Sequence, residues 1–119
     1  MPKAELFGRV DGIEAELREI ALKIWGRPEP AFRESFAAGL QAEALEAAGF
    51  RLARGLAGMA TAFSAEFGSG GPVIGILGEY DSLAGLSQKV AARREPVVEG
   101  GLGHGCGHNL LGTAGVGAA

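Results

Sequence analysis

The sequence predicts an α/β fold that forms the N-terminal part of a larger domain with a central, mostly parallel sheet. Two stretches with helical spacing of apolar residues open the chain, and an uninterrupted apolar run follows at residues 72–78. Such a run with β-branched residues is typical of a strand buried on both faces of a parallel sheet. A last helix is predicted from Asn109, its N-cap, and has barely begun at residue 119. We therefore expect residues 1–119 to be one portion of a larger domain.

The first helix is predicted from apolar residues that recur at spacings of three and four. Asp11 with Glu14 resembles a capping box at its start, and Gly26 followed by Pro28 marks its end. We interpret the apolar stripe as core packing. Its members are Val10, Ile13, Leu17, Ile20 and Ile24.

A second helix is predicted from about Glu34 to Ala48, with Gly49 in the position of a left-handed C-terminal cap. The stripe predicted to be buried consists of Phe36, Leu40, Ala44 and Ala47. A strand is predicted at residues 59–67. A long loop is predicted at residues 79–108, and long loops in compact domains usually have a functional role.

Composition excludes several classes of protein. The net charge is −3, so the chain lacks the basic excess of a nucleic-acid-binding protein. The basic cluster at residues 89–94 adjoins Glu95, which favours a solvated loop. The single cysteine excludes an intrachain disulfide framework. With no signal peptide and no membrane span in the sequence, a cytoplasmic protein is the default expectation.

Glycine makes up 21 of the 119 residues, and the most informative glycine-rich stretch is GHGCGHN at 103–109. If this stretch is extended, the alternating side chains of His104, Cys106 and His108 converge on one side. Thiolate and imidazole are favoured ligands of zinc, so the spacing indicates a metal site. The spacing leaves two alternatives open. One is a cysteine nucleophile at Cys106, activated by a neighbouring histidine, and the other is a glycine-rich turn that carries these residues without a function.

Two acids, Glu79 and Asp81, follow the apolar run directly. Ligands of open α/β sheets bind at the carboxyl ends of strands, so these positions are candidates for chemistry. Asp81 is suited to bridge metal ions or to orient a ligating histidine. The alternative is that both acids are ordinary solvent-exposed residues of a loop and carry no chemistry. The sequence contains no phosphate-binding loop, no dinucleotide-binding glycine motif and no G-x-S-x-G motif.

Three segments together resemble one known family. They are WGRPEPAFRESFAAGLQAEALEAAGF, VIGILGEYDSLAGLSQ and GHGCGHNLLGTAGVGAA. They resemble the zinc-dependent amidohydrolase and aminoacylase-like peptidase family, and the nearest branch is that of the B-type subunits of p-aminobenzoyl-glutamate hydrolase. The resemblance extends from about residue 10 to 119 and implies a zinc-exopeptidase-like, three-layer catalytic domain, of which this chain is the N-terminal portion.

The resemblance also implies roles for individual residues. Cys106 and His108 match two metal ligands of the family. Asp81 matches the aspartate of its first metal-site motif and is the candidate catalytic residue of this chain. His104 matches a histidine beside the site. Glu79 stands where many relatives have a metal-binding histidine, and Asn109 stands where other branches have aspartate. Glu79, His104 and Asn109 are therefore candidates for supporting the ligands or contacting substrate.

The implied activity is hydrolysis of the amide bond of a small N-acyl-amino-acid or aminobenzoyl-glutamate-like substrate by metal-activated water. The expected cofactor is zinc or manganese, with two ions in the whole protein, which we expect to be a homo- or hetero-oligomer. The family's general base lies downstream of this chain, so we expect residues 1–119 alone to be inactive. A non-catalytic α/β interaction domain that keeps the family's shape is the alternative.

Overall fold

The computed structural model describes residues 1–119 as a mixed helix-and-strand chain. All helices and strands lie within residues 3–66 and 108–118, and a long irregular segment lies between these two parts. The elements are helix α1 (Lys3–Gly26), helix α2 (Ser35–Ala47), strand β1 (Arg51–Arg54), a 3₁₀ turn (Leu56–Gly58), strand β2 (Phe63–Glu66) and helix α3 (His108–Ala118).

Helix α1 ends at Gly26 as predicted, but it begins at Lys3, so the predicted capping-box start at Asp11 is wrong. The residues upstream of Asp11 include Ala, Glu, Leu and Arg, which are good helix formers and extend the helix towards the N-terminus. Ile20 and Ile24 of the predicted stripe are buried, whereas Val10 and Ile13 are exposed. The stripe therefore packs only along the second half of α1.

Helix α2 ends in the C-terminal cap that the sequence predicts. Gly49 has φ +93°, its N–H donates to the Glu46 carbonyl at 2.9 Å, and the Phe50 N–H donates to the Leu45 carbonyl at 3.0 Å. These two bonds define a Schellman motif, and the left-handed conformation that it needs is one that glycine adopts without strain.

The buried face of α2 differs from the predicted stripe. Leu40 and Ala44 are half-buried and pack against the core, but Ala47 is exposed. Helix α2 contacts both other helices and both strands, so its buried arc is wider than one stripe. Its buried residues are Ala37, Ala38, Gln41, Ala42 and Leu45. Within the core, Ile20, Ile24 and Ala37 form a cluster in mutual contact.

The sheet has two antiparallel strands rather than a parallel arrangement. β1 pairs with β2 from Arg51 opposite Glu66 to Arg54 opposite Phe63. The strand predicted at residues 59–67 is confirmed only over β2, and β1 was not predicted. Antiparallel strands close through a short connection, so this hairpin forms without the crossover that a parallel pair requires.

The central strand predicted at residues 72–78 is absent. Val73, Ile74 and Leu77 are 89%, 83% and 95% exposed. A strand is stabilised by hydrogen bonds to a neighbouring strand, and this segment pairs with none. Residues 1–119 therefore do not form the central parallel sheet of a three-layer domain that the sequence predicts.

Residues 79–107 form the long loop that the sequence predicts, without a helix or a ladder of strands. Two isolated bridges tie it down, one between Pro30 and Ser82 and one between Leu83 and Gly103. Its charged residues form exposed ion pairs, including Lys89 and Arg93 with Glu95, which confirms a solvated basic cluster. None of the three helices is long and apolar enough to cross a bilayer.

Candidate metal-binding site

Two acids and a histidine meet where the long loop passes the start of α3. The His108 ring lies between two carboxylates, with Nε2 at 3.0 Å from Glu79 Oε2 and Nδ1 at 2.8 Å from Asp81 Oδ1. One potential ligand atom from each of the three residues lies within 4.8 Å of the others. The three residues therefore form a compact group that could hold a divalent cation.

The group is open on one side. The side chain of Glu79 is 59% exposed, whereas those of His108 and Asp81 are 16% and 24% exposed. A half-buried, oriented histidine beside an exposed carboxylate leaves access for a small ligand from solvent.

Glu29 holds the loop beside the site. Its carboxylate accepts hydrogen bonds from the backbone N–H groups of Phe36 and Ala37 at 3.0–3.1 Å, which caps the N-terminus of α2. Its carbonyl accepts hydrogen bonds from the N–H and hydroxyl of Ser82, at 2.8 and 2.7 Å. Ser82 is 4% exposed and follows Asp81 directly, so Glu29 fixes the position of Asp81 relative to the helices.

A second network supports the residue between the two acids. The hydroxyl of Tyr80 donates to the carbonyl of Thr61, and the hydroxyl of Thr61 donates to the carboxylate of Glu34 at 2.7 Å. Burial, and secondarily the charge of Glu34, raises the pKa of Tyr80, so the phenol keeps the proton that it donates.

Sequence reasoning missed both supporting acids. Glu29 lies within the Pro-Glu segment that contributed to the family resemblance, but the sequence does not indicate that this side chain caps a helix seven residues later. Glu34 looks like an ordinary acid at a helix start, and only the fold brings Thr61 to it. Both contacts depend on tertiary placement.

The glycine-rich stretch turns where an extended conformation was predicted. The N–H of Gly107 donates to the carbonyl of His104 at 3.0 Å, and Gly107, with φ +81°, precedes the first residue of α3. His104, Cys106 and His108 therefore do not converge by alternation. Cys106 is exposed at the turn and is not among the ligand atoms that lie within 4.8 Å of one another.

His104 is not one of the residues whose ligand atoms form the group. Neither of its ring nitrogens has a hydrogen-bond partner, and both are buried. Burial is the largest influence on the pKa of His104 and lowers it, which favours a neutral ring.

Asn109 was predicted to be the N-cap of the last helix, but α3 begins at His108 with Gly107 as its N-cap, two residues earlier. Its side chain is 5% exposed, and Nδ2 donates to the carbonyl of Ala21 at 3.1 Å. The amide of Asn109 therefore joins α3 to α1.

The donor set fits a transition-metal ion. Carboxylate oxygen and imidazole nitrogen are ligands of Zn²⁺ and Mn²⁺. A histidine that ligates through one nitrogen usually donates its other N–H to a carboxylate, which fixes the ring. The contact between His108 Nδ1 and Asp81 has this geometry and leaves Nε2 directed at Glu79.

These features describe a mixed helix-and-strand protein with a candidate divalent-cation site. No protein-family model matches the chain. It is 51% identical over 113 residues to the B-type subunit of p-aminobenzoyl-glutamate hydrolase from Escherichia coli (strain K12). The match includes 92% of this chain and 24% of that protein, so the chain spans about a quarter of the length of its curated relative. The similarity supports a hydrolase-like origin.

Proposed function

We propose that this chain supplies part of the metal site of an amidohydrolase of the p-aminobenzoyl-glutamate hydrolase type. The observation that carries the proposal is the Glu79, Asp81 and His108 group, with one ligand atom of each within 4.8 Å of the others. The 51% identity to one subunit of a hydrolase supports the reaction class. The substrate we propose is a small N-acyl-amino-acid or aminobenzoyl-glutamate-like amide.

In this proposal Glu79 and His108 Nε2 hold a zinc or manganese ion. Cys106 lies outside their group of ligand atoms, and the family resemblance alone supports it as a further ligand. Asp81 accepts the Nδ1 proton of His108, keeps the ring in place and raises the basicity of Nε2. A divalent ion supplies polarisation of the scissile carbonyl and activation of water. No residue of this chain is assigned as the general base. A second ion and association with further subunits belong to the proposal for the whole protein.

Removing the carboxylate that orients the histidine tests the site. We expect Asp81→Asn to weaken zinc binding roughly 10–100-fold, because loss of such a partner has effects of that size. Zinc affinity is measured by competition with a chromophoric chelator. Asp11→Asn is the matched control, since Asp11 is exposed within α1 and remote from the site. Equal affinities for the two variants would contradict the proposed site.

Activity tests separate metal chemistry from the thiol alternative. In the whole protein, we expect chelators to abolish release of p-aminobenzoate from p-aminobenzoyl-glutamate and added zinc or manganese to restore it. A thiol hydrolase would instead be inhibited by iodoacetamide and would tolerate chelators, because its nucleophile is Cys106. Activity that survives metal removal would exclude the proposed mechanism.

A further inference from the structure

One face of α3 lies directly against the segment that carries the two acids. His108, Gly112 and Gly115 are spaced by four and three residues, so they share this face. Asp81 and Glu79 meet His108, while the backbone around Gly78 meets the two glycines further along the helix. Residues 76–81 therefore run along α3 with the acids at its first residue.

Gly112 sets how closely this segment approaches the helix. A Cβ at Gly112 would overlap the Glu79 carbonyl oxygen and lie 2.7 Å from Nε2 of Gln41 on α2. Gln41 is only 3% exposed, so it has little room to withdraw. From the other side, a Cβ at Gly78 would lie 3.0 Å from the Cα of Gly112. The contact is therefore one of backbone against backbone, with a buried side chain closing its far side.

Gly115, one turn further along α3, is different. A Cβ there would lie 3.6 Å from Ile76 Cγ2 and 3.9 Å from the Gly78 Cα, which are ordinary van der Waals distances. Two glycines on the same helix face therefore have opposite tolerance for a methyl group, and the intolerant one lies next to the backbone of a site residue.

We propose that Gly112 is a positioning residue for the metal site: its missing side chain lets the Glu79 backbone approach α3 closely enough for the Glu79 carboxylate to reach His108. The inference rests on the proposed function, since it gives Gly112 a role in that same site. Gly112 contacts neither a metal nor a substrate and acts through the placement of Glu79.

The test compares Gly112→Ala with Gly115→Ala in the full chain. Both changes add one methyl group to the same helix and raise its helical propensity equally. At a temperature where circular dichroism finds both variants folded, we expect Gly112→Ala to weaken zinc affinity by at least tenfold and Gly115→Ala to stay within about twofold of the unchanged chain. Equal affinities for the two variants would overturn the inference.

A double-substitution cycle separates positioning from a general structural effect. We expect Gly112→Ala to reduce affinity much less in a Glu79→Gln background, because the carboxylate through which it acts is already gone. An equal loss in both backgrounds would assign Gly112 a merely structural role. If Gly112→Ala does not fold, Gly78→Ala perturbs the same contact from the other side and serves in its place, with the same expected direction.

A metal-free readout keeps this inference distinct from the proposed function. The ¹⁵N chemical shifts of the His108 ring report its contacts with the two carboxylates in the absence of zinc. We expect Gly112→Ala to move the Nε2 resonance and Gly115→Ala to leave it unchanged. If the unchanged chain binds no zinc, the proposed function fails; if neither variant moves the resonance, the positioning role of Gly112 fails.

Discussion

Tyr80 illustrates how a single residue supports the site. It lies between the two acids, and its hydroxyl donates to the carbonyl of Thr61. We expect Tyr80→Phe to lower the free energy of unfolding by about 1 kcal/mol at neutral pH, the usual net contribution of one such hydrogen bond. Urea denaturation measures the change, and no difference between the two proteins would contradict a stabilising bond.

The pH dependence of this difference follows from the raised pKa of Tyr80. Folding favours the neutral phenol, so its contribution to stability is complete below the ordinary pKa of 10.0 and is lost as the pH rises above that value. The difference in unfolding free energy between the unchanged chain and Tyr80→Phe should therefore shrink as the pH rises above about 10. A gap that widened over this range would be inconsistent with a buried neutral donor.

The sequence predicted which individual residues are candidates for the site. Glu79, Asp81 and His108 could be identified because acids after an apolar run and a glycine-rich Cys/His stretch are local sequence patterns. His104, Cys106 and His108 do not converge by alternation. That expectation assumed an extended backbone, whereas a turn forms between His104 and Gly107. Sequence spacing does not specify which backbone conformation a glycine-rich stretch adopts.

Helix α2 depends on a cap supplied from outside its own sequence. We expect Glu29→Ala to destabilise the chain by about 1–2 kcal/mol, since it removes the acceptor for the N–H groups of Phe36 and Ala37. The midpoint of urea denaturation measures this loss. Glu43→Ala is the control, because Glu43 is an exposed residue of the same helix. Similar losses in both variants would mean that the cap contributes nothing specific.

Helix boundaries were predictable for reasons that do not extend to the strands. The end of α1 at Gly26 and the cap at Gly49 arise from bonds within a few residues, which local residue types determine. A strand needs a partner that is distant in sequence, and residues 72–78 have strand-forming side chains but no neighbour in the structure. The start of α1 was missed because helix-forming residues continue upstream of an apparent cap.

The whole molecule buries little of its apolar surface. Only 14 of 119 residues are buried, while Val73, Ile74 and Leu77 are almost fully exposed in one short segment. Contiguous exposed apolar residues promote association. We expect the unchanged chain to self-associate and Leu77→Lys to reduce this association, as measured by sedimentation velocity.

Val90→Lys is the control for that experiment. Val90 is 93% exposed, comparable with Leu77 at 95%, but it lies in the loop with Lys89, Arg93 and Arg94. Both variants add the same charge, so a general effect of net charge would change them equally. Equal sedimentation of the two variants would show that residues 73–77 do not mediate association.

The long-range hydrogen bonds also determine when the site forms during biosynthesis. Three of these bonds join residues that are far apart in the sequence. The separations are 53 residues for Glu29 and Ser82, 27 for Asp81 and His108, and 88 for Ala21 and Asn109. On the ribosome, a nascent chain that has completed α1 and α2 still lacks the helix that packs against both. Its apolar helix faces stay uncovered until residues 108–118 leave the exit tunnel, so chaperone binding should be strongest in the interval of translation before α3 emerges.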